Sequence, residues 1–176
     1  MRVIGKSMFK LRFAEAEIAY WAERYSYDGE TTFENDMAPR AKKRGYLTRP
    51  EFIELCRWKS PRTQPLVRAN SADVVEAVTQ AALESRHEHV KINVLRTLRG
   101  VSWPTASVIL HFCDKRKYPI LDFRALWSLG YDTPPAYTFE FWLAYTKFIR
   151  DVLRRSGQSM RDVDRALWQY SKEHQA

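Results

Sequence analysis

Cysteine and glycine are scarce in this chain, and each scarcity excludes a class of protein. The 176 residues include 2 cysteines, Cys56 and Cys113. Two thiolates cannot hold an iron–sulfur cluster or a four-cysteine zinc site, so we expect no iron–sulfur cluster, no transition metal, and two reduced, buried thiols. With 6 glycines and 8 prolines, the composition also excludes a collagen-like or low-complexity chain and is typical of an ordered globular protein.

Long hydrophobic runs are absent as well. Although 45% of the residues are hydrophobic, no uninterrupted apolar stretch approaches the roughly 20 residues that a membrane-spanning helix needs. The N-terminal residues lack the continuous apolar region and the small-residue cleavage site of a secretory signal. We therefore expect a protein that has no membrane partner and resides in the cytoplasm.

Positive charge predominates over negative charge. Lys and Arg number 29 against 21 Asp and Glu, which gives a formal net charge of +8. An ordered domain with such a surplus attracts polyanions, and nucleic acid is the first of these to consider. Incidental basicity is the alternative that charge alone leaves open.

Apolar residues recur at the three- and four-residue spacing of helices along nearly the whole chain, which predicts an all-α fold. The length allows one domain or two closely packed lobes, and we expect a single compact helical domain over residues 1–176. The first helix is predicted over residues 8–25, and residues 26–46 are predicted to form a loop with at most a short helical turn. The remaining helices are predicted from caps and breakers at residues 51–58, 71–85, 88–98, 104–113, 122–129, 138–155 and 159–172.

The most informative segment is a predicted helical hairpin. One helix ends near Leu98, a tight turn follows over residues 99–102, and a new helix begins at Trp103 with Pro104 in its first turn, where a missing N–H costs least. A helix N-terminus presents free N–H groups that bind phosphate, and Gly100 lets the backbone turn and approach a ligand closely. Ordinary helix connections also contain glycine, so the turn alone leaves both interpretations open.

Several hairpin residues match a family pattern in register: Leu98, Gly100, Val101, Thr105 and Ala106. With them the segment resembles the hairpin of the helix-hairpin-helix DNA glycosylase superfamily, which includes the endonuclease III and adenine-mismatch glycosylase branches. The resemblance is strongest over residues 83–129, and residues 55–62 are similar to a segment of uncharacterised bacterial members. Ser102 stands where the family has a second glycine. The resemblance implies two small helical lobes around a cleft, a helix-hairpin-helix element at about residues 88–113, and double-stranded DNA as the partner.

Asp122 follows Pro104 at the offset where family members carry their catalytic aspartate. The resemblance implies that its carboxylate stabilises the positive charge that develops on the sugar when a base is released, and activates the attacking water. Lyase members have a lysine at the position of Pro104, and proline cannot form a Schiff base. The implied activity is that of a monofunctional DNA glycosylase of base-excision repair, a hydrolase without lyase activity. From its position before a predicted helix, Asp122 is also a preferred N-cap.

The DNA-binding residues predicted around the hairpin are Arg99, Gly100, Val101, Ser102, Trp103 and Thr105. Two basic residues upstream, Lys59 and Arg62, flank prolines in a predicted loop, where they would contact phosphates or the released base; an ordinary solvated charge is the alternative for both. Family hairpins often hold a monovalent cation, so the resemblance admits one on the backbone carbonyls near Leu98 and Val101, and no other cofactor is expected. A further basic set could hold the DNA backbone or form a solvated surface: Arg150, Arg154, Arg155, Arg161 and Arg165.

Two other functions stay open at this stage. A non-catalytic helix-hairpin-helix protein would bind DNA without a base pocket, and a helical interaction protein would be basic incidentally. Nothing in the sequence indicates which base would be recognised. Salt-dependent DNA binding and the release of a damaged base are the measurements that separate these functions.

Overall fold

All the regular structure that the computed structural model describes is helical. It describes residues 8–27 and 33–175, and no strand lies within those ranges. The helices are α1 (Ile18–Glu23), α2 (Ala38–Arg44), α3 (Arg49–Lys59), α4 (Gln64–Val67), α5 (Ala72–Glu84), α6 (Glu88–Leu95), α7 (Trp103–Cys113), α8 (Phe123–Ser128), α9 (Phe139–Ser156) and α10 (Met160–His174). Single turns of tighter or wider helix lie at Glu15–Glu17, Phe33–Met37 and Pro61–Thr63. The all-α expectation is confirmed, and none of the helices described is long and apolar enough to cross a membrane.

The chain divides into two compact units. The central unit comprises Tyr27–Leu121 and contains α2 to α7. The terminal unit combines Met1–Ser26 with Asp122–Ala176 and contains α1 and α8 to α10. Each unit buries apolar side chains of its own, and the expectation of a single compact domain stays a prediction.

The starts of the last two helices follow the caps expected from the sequence. Thr138 Oγ1 accepts the Phe141 N–H at 3.2 Å at the start of α9. Ser159 Oγ accepts the Asp162 N–H at 3.0 Å at the start of α10. Such bonds satisfy N–H groups that a helix end leaves without a partner, and they make a helix boundary readable from local sequence.

The expected first helix is wrong in its first half, because α1 begins only at Ile18. Lys10 and Arg12 donate their backbone N–H groups to the carbonyls of Leu129 and Ser128, at 3.1 and 2.9 Å. These carbonyls lie at the C-terminal end of α8, where helical carbonyls lack partners within their own helix. Because its N–H groups are used in this way, the segment cannot form the hydrogen bonds of a helix.

The loop expected over residues 26–46 contains a helix, α2, while residues 28–32 lie outside the described part of the chain. Two alanines of α2 are buried. Gly45 ends the helix with a φ of 91°, a left-handed conformation that glycine adopts without steric cost. Three basic residues of the expected loop, Lys42, Lys43 and Arg44, therefore form the last turn of a helix, where the helix dipole favours positive charge.

A buried ion pair joins three helices of the central unit. Lys91 on α6 is 1% exposed, and its Nζ contacts a carboxylate oxygen of Asp114, which follows α7. The same Nζ donates to the carbonyl oxygens of Ala82 and Leu83 on α5, at 3.0 and 3.1 Å. A buried ammonium group requires such a set of partners. The contact therefore holds α5, α6 and α7 together at one point.

Both cysteines of the central unit are free and buried, as the sequence analysis expected. Cys56 lies on α3 and Cys113 ends α7. Burial raises the pKa of both thiols, and that of Cys113 rises to about 12. Because the reactive form of cysteine is the thiolate, the raised pKa lowers the reactivity of both thiols in the folded protein.

Candidate nucleic-acid interface

The helical hairpin lies in the central unit, where α6 and α7 are joined by a tight turn. α6 ends at Leu95, earlier than expected, and α7 begins at Trp103. Ser102 is the N-cap of α7 and has an extended backbone, with φ −102° and ψ −176°. The Val101 N–H donates to the Leu98 carbonyl at 3.2 Å and closes the turn. The turn therefore leads directly into a helix N-terminus.

Gly100 is required by the packing of α4 against this turn. Its φ is +81°, and a Cβ added there would lie 2.8 Å from Val67 Cγ2, 3.0 Å from Val67 N and 3.2 Å from Leu66 Cβ. Contacts at the shortest of these distances do not occur without movement of the neighbour, and one of the atoms is backbone. The structure thus gives this glycine a packing reason, while its approach to a phosphate stays a prediction.

A buried asparagine that the sequence analysis did not single out fixes the hairpin turn. Asn70 Oδ1 accepts the Arg99 N–H at 2.9 Å, and its Nδ2 donates to the Arg99 carbonyl at 2.9 Å. Nδ2 also donates to the Val67 carbonyl at 2.9 Å, so one amide ties the turn to the end of α4. Since Asn70 and Arg99 are 29 residues apart, no local pattern in the sequence indicates this contact.

Arg49, at the start of α3, extends the same network. Its Nε donates to the Asn70 carbonyl at 2.8 Å, and its Nη2 donates to the Arg68 carbonyl at 2.7 Å. The guanidinium group therefore satisfies carbonyls that follow the short helix α4. Through Asn70, the backbone of the hairpin turn is supported by both α3 and α4.

The predicted hairpin residues differ in the exposure of their side chains. Arg99 and Ser102 are exposed. The side chains of Val101 and Thr105 are buried, at 7% and 2% exposure. These two residues can therefore offer only backbone groups to a ligand, and the Val101 N–H is already bonded within the turn.

An arginine absent from the predicted set covers the tryptophan at the hairpin. The Arg96 guanidinium carbon lies 4.0 Å from the centre of the Trp103 ring, and Arg96 Nη1 donates to Asn93 Oδ1 at 2.9 Å. Arg96 is exposed, whereas Trp103 is half-buried. A guanidinium group stacked on a ring keeps in-plane N–H donors for a further acceptor, so Arg96 joins Arg99 as a candidate anion ligand.

Both upstream basic residues belong to the stretch that leads into α4. Lys59 is the last residue of α3 and is half-buried. Arg62 is exposed and lies in the turn Pro61–Thr63, directly before α4. Because α4 packs on Gly100, the structure brings this basic stretch and the hairpin turn into one part of the central unit.

Two segments that meet at the hairpin turn contain no acidic residue. Residues 55–72 include α4 and Asn70, and residues 89–113 include the hairpin turn and α7. A region of one charge sign creates a field that concentrates ions of the other sign. The exposed and half-buried cations of the two segments are Arg57, Lys59, Arg62, Arg68, Arg96 and Arg99.

Asp122 lies in the terminal unit and caps α8. Its Oδ1 accepts the Ala125 N–H at 2.8 Å, which confirms the N-cap expected from the sequence. The residue is half-buried. Burial, above all, raises the pKa of Tyr137 and of the fully buried Tyr145, and the negative charge of Asp122 contributes to both shifts. The carboxylate is thus held in place where water screens its charge less than at an open surface.

A cavity of about 890 Å³ opens in the terminal unit. Trp127, Tyr170 and His174 line it together with Lys10 and Arg12. The Tyr170 and His174 rings stack with their centres 4.2 Å apart, and the Arg12 guanidinium carbon lies 4.2 Å from the centre of the Trp127 ring. Asp122 does not line this cavity, so it is not the base pocket that the resemblance implies.

The carbonyls that the resemblance assigns to a monovalent cation are partly engaged. The Leu98 carbonyl accepts the Val101 N–H at 3.2 Å, but a carbonyl oxygen has a second lone pair. The cation therefore stays a prediction. Of the side chains that the structure describes, no group of three or more His, Cys, Asp or Glu residues could hold a metal ion.

Comparison with known proteins finds no relative of this chain: no family model, no curated protein and no solved structure matches it. The observations that bear on function are therefore the charge and geometry of the hairpin and the setting of Asp122.

Proposed function

We propose that the central unit binds double-stranded DNA through the hairpin turn and the adjoining α4. The proposal rests on one observation: residues 55–72 and 89–113 contain no Asp or Glu, and the two segments meet where α4 packs on Gly100. Duplex DNA carries one negative charge per about 1.7 Å of its axis, so segments that expose basic residues and contain no acidic ones complement it.

Each part of this surface has a role in binding phosphate. At the N-terminus of α7 the helix dipole favours negative charge, although Pro104 supplies no N–H and Thr105 is buried. Arg99 and Arg96 are exposed, and guanidinium groups form paired hydrogen bonds with phosphate oxygens. Asn70 already fixes the backbone of the turn, so little further ordering is needed on binding. Contacts of this kind recognise the DNA backbone and not the base sequence.

The salt dependence of duplex binding tests this proposal. Each neutralised phosphate contributes about −0.9 to the slope of log K against log salt concentration. Arg99→Gln should therefore make the slope shallower by about 0.9 for every duplex sequence. Arg86→Gln is the matched control, because Arg86 is an exposed arginine of the same unit outside the acid-free segments. An unchanged slope in Arg99→Gln, or an equal change in both variants, would contradict the proposal.

We further propose that Asp122 promotes hydrolysis of the bond between a damaged or modified base and its sugar. The bond from the sugar carbon to the base breaks as a water oxygen bonds to that carbon, the Asp122 carboxylate accepts the proton that the water loses, and the released base takes up a proton from solvent. The support is a half-buried carboxylate held in place by the Ala125 N–H, since a fixed charge stabilises a developing sugar cation without reorganisation. In this proposal the protein is a monofunctional glycosylase of base-excision repair in the helix-hairpin-helix superfamily. Pro104 in the first turn of α7 leaves no lysine for lyase chemistry at that position.

Asp122→Asn separates catalysis from helix capping, because Asn and Asp are comparable N-caps. Base release from a panel of damaged duplexes should fall by about a hundredfold or more, while duplex binding and thermal unfolding stay unchanged. Asp132→Asn is the control, since Asp132 is an 81% exposed carboxylate of the same unit. Duplex binding without base release from any substrate would indicate a non-catalytic DNA-binding protein. Failure to bind duplex DNA would favour a helical interaction protein.

A further inference from the structure

The cavity of the terminal unit has an aromatic wall. Trp127 on α8 and both Tyr170 and His174 on α10 supply the rings. Trp127 and Tyr170 are half-buried and His174 is exposed, so part of this aromatic surface stays in contact with water. A ligand with a flat aromatic ring would cover that surface, which is favourable. Neither the hairpin nor the chemistry proposed for Asp122 uses these side chains.

A chain of contacts holds the aromatic wall in one arrangement. The Arg12 guanidinium group lies over the Trp127 ring, and its Nε donates to the Trp127 carbonyl at 2.5 Å. The Tyr170 hydroxyl donates to the Arg12 carbonyl at 3.1 Å. His174 Nδ1 donates to the Tyr170 carbonyl at 2.9 Å, and the two rings stack. Because the rings are already ordered, a ligand that packs on them loses little affinity to their immobilisation.

Two donors at the cavity are unused. Lys10 is exposed, and its ammonium group forms no ion pair or hydrogen bond with any residue that the structure describes. Its backbone is fixed, since the Lys10 N–H donates to the Leu129 carbonyl at 3.1 Å. The Trp127 indole N–H likewise has no acceptor in the described part of the chain. Arg12 differs, because Asp132 already binds its guanidinium group at 2.5 Å.

These groups suit a nucleotide. Nucleobases of every kind stack on aromatic side chains, and lysine is a common ligand of phosphate. Glu17 also lines the cavity, and one of its oxygens accepts the Ala14 N–H at 2.8 Å. A carboxylate has further lone pairs, which can accept the amino group of a base such as adenine. Because Glu17 repels phosphate, we expect the phosphate on Lys10.

The size of the cavity agrees with such a ligand. Its volume of about 890 Å³ lies within the range of about 300–1,000 Å³ that is typical of small-molecule sites. Such sites combine apolar walls with a few polar groups that orient the ligand. The cavity has both, in one unit of the chain.

We propose that this cavity binds a nucleotide, with the base on the aromatic wall and the phosphate on Lys10. A free nucleoside monophosphate and an unpaired nucleotide of a DNA strand offer this same chemistry, and binding measurements distinguish the two. The inference goes beyond the proposed function, because it requires neither duplex binding by the hairpin nor base release by Asp122.

Isothermal titration calorimetry of the full chain with AMP tests the proposal. AMP should bind saturably, adenosine more weakly, and ribose 5-phosphate not detectably, because it has no base. Lys10→Gln should weaken AMP binding about threefold, the effect of an exposed charge pair, and should leave adenosine binding unchanged. Trp127→Leu should weaken the binding of both about tenfold, as the loss of a stacking partner does.

The terminal unit supplies matched controls. Lys147 on α9 is an exposed lysine, and Phe123 on α8 is a 52% exposed aromatic residue. Neither is among the described residues that line the cavity, so Lys147→Gln and Phe123→Leu should bind AMP as the wild type does. His174→Ala removes an exposed ring at the end of α10 and should weaken AMP and adenosine alike. It provides a second variant should Trp127→Leu fail to fold by circular dichroism.

A short single-stranded oligonucleotide of deoxyadenosine identifies the source of the nucleotide. Tighter binding of the oligonucleotide than of dAMP, weakened by both Lys10→Gln and Trp127→Leu, supports the proposal and assigns the cavity to an unpaired nucleotide of DNA. Equal binding of the two, with the same sensitivity to both variants, supports it and assigns the cavity to the free nucleotide.

Three results overturn the inference. The first is the absence of saturable binding of AMP and of the oligonucleotide at millimolar concentration. The second is an AMP affinity that Lys10→Gln weakens no more than Lys147→Gln does, because the phosphate then gains nothing from Lys10. The third is equal affinity for AMP and adenosine.

The proposed function fails or stands by different results. AMP binding that is lost in Arg99→Gln or Asp122→Asn but kept in Lys10→Gln and Trp127→Leu overturns the inference, because the nucleotide then binds at the proposed DNA site. An unchanged salt slope of duplex binding in Arg99→Gln contradicts the hairpin proposal and leaves the cavity proposal standing.

Discussion

Alanine at Gly100 would test the packing of α4 against the hairpin turn. The φ of +81° costs a residue with a Cβ about 1–2 kcal/mol. The new Cβ would lie 2.8 Å from Val67 Cγ2 and 3.0 Å from Val67 N, and overpacking of this kind costs about 1–3 kcal/mol. The smaller conformational freedom of the unfolded variant returns about 0.4–1 kcal/mol. We therefore expect Gly100→Ala to lower the free energy of unfolding by about 3 kcal/mol.

Gly45 provides a control for the conformational part of this loss. It lies in the same unit with a φ of +91°, but an added Cβ would meet nothing within 4 Å. Gly45→Ala should therefore cost about 1 kcal/mol, the left-handed penalty less the gain from the unfolded state. The difference between the two variants, about 2 kcal/mol, measures the contact with Val67.

Urea denaturation followed by tryptophan fluorescence and circular dichroism gives both free energies, provided that the slope m is the same for each protein. A double variant, Gly100→Ala/Val67→Ala, removes the nearer of the two overlaps and should lose less than the sum of the single losses. Equal losses in Gly100→Ala and Gly45→Ala would refute the reasoning, because the packing of Val67 against the turn would then contribute nothing.

Three other predictions concern buried groups of the central unit. Asn70→Ala should lower the free energy of unfolding by about 2–3 kcal/mol, because the backbone groups of the turn lose buried partners; an unchanged urea midpoint would contradict this. Lys91→Met should cost about 3–5 kcal/mol because it leaves the Asp114 carboxylate buried and uncompensated, and Lys91→Met/Asp114→Asn should recover part of that loss in the same assay. Because burial raises the pKa of both thiols, Cys56 and Cys113 should resist iodoacetamide at pH 8 in the native protein and react in urea; rapid labelling of the native protein would show that the thiols are accessible.

Local signals in the sequence predicted most of the helices. Thr138, Ser159 and Asp122 each accept an N–H from the residue three positions later, and a cap of this kind needs no knowledge of the rest of the fold. Pro104 in a first turn similarly indicated the start of α7. The hairpin was therefore predictable as two helices and a turn.

Long-range contacts explain what the sequence analysis missed. The segment around Lys10 and Arg12 has helical apolar spacing, but its N–H groups bind carbonyls of α8 that are more than a hundred residues away in the chain. Asn70 reaches Arg99 in the same manner. Neither contact leaves a periodic pattern, since a hydrogen bond between distant residues constrains only the two positions that it joins. Side-chain exposure also depends on distant parts of the chain. Only the structure could therefore show that Arg99 is exposed and that Thr105 is buried.

Gly100 is needed for packing, so it is a poor indicator of DNA binding. A glycine required by Val67 would be needed whether or not a phosphate approaches the turn, so its presence does not discriminate between the interpretations. Loss of DNA binding in Gly100→Ala would likewise follow from a weakened fold. Arg99 differs, because its exposed side chain can be shortened or neutralised while Asn70 still holds its backbone. The charge variants, and not the glycine variant, therefore decide whether the hairpin binds a polyanion.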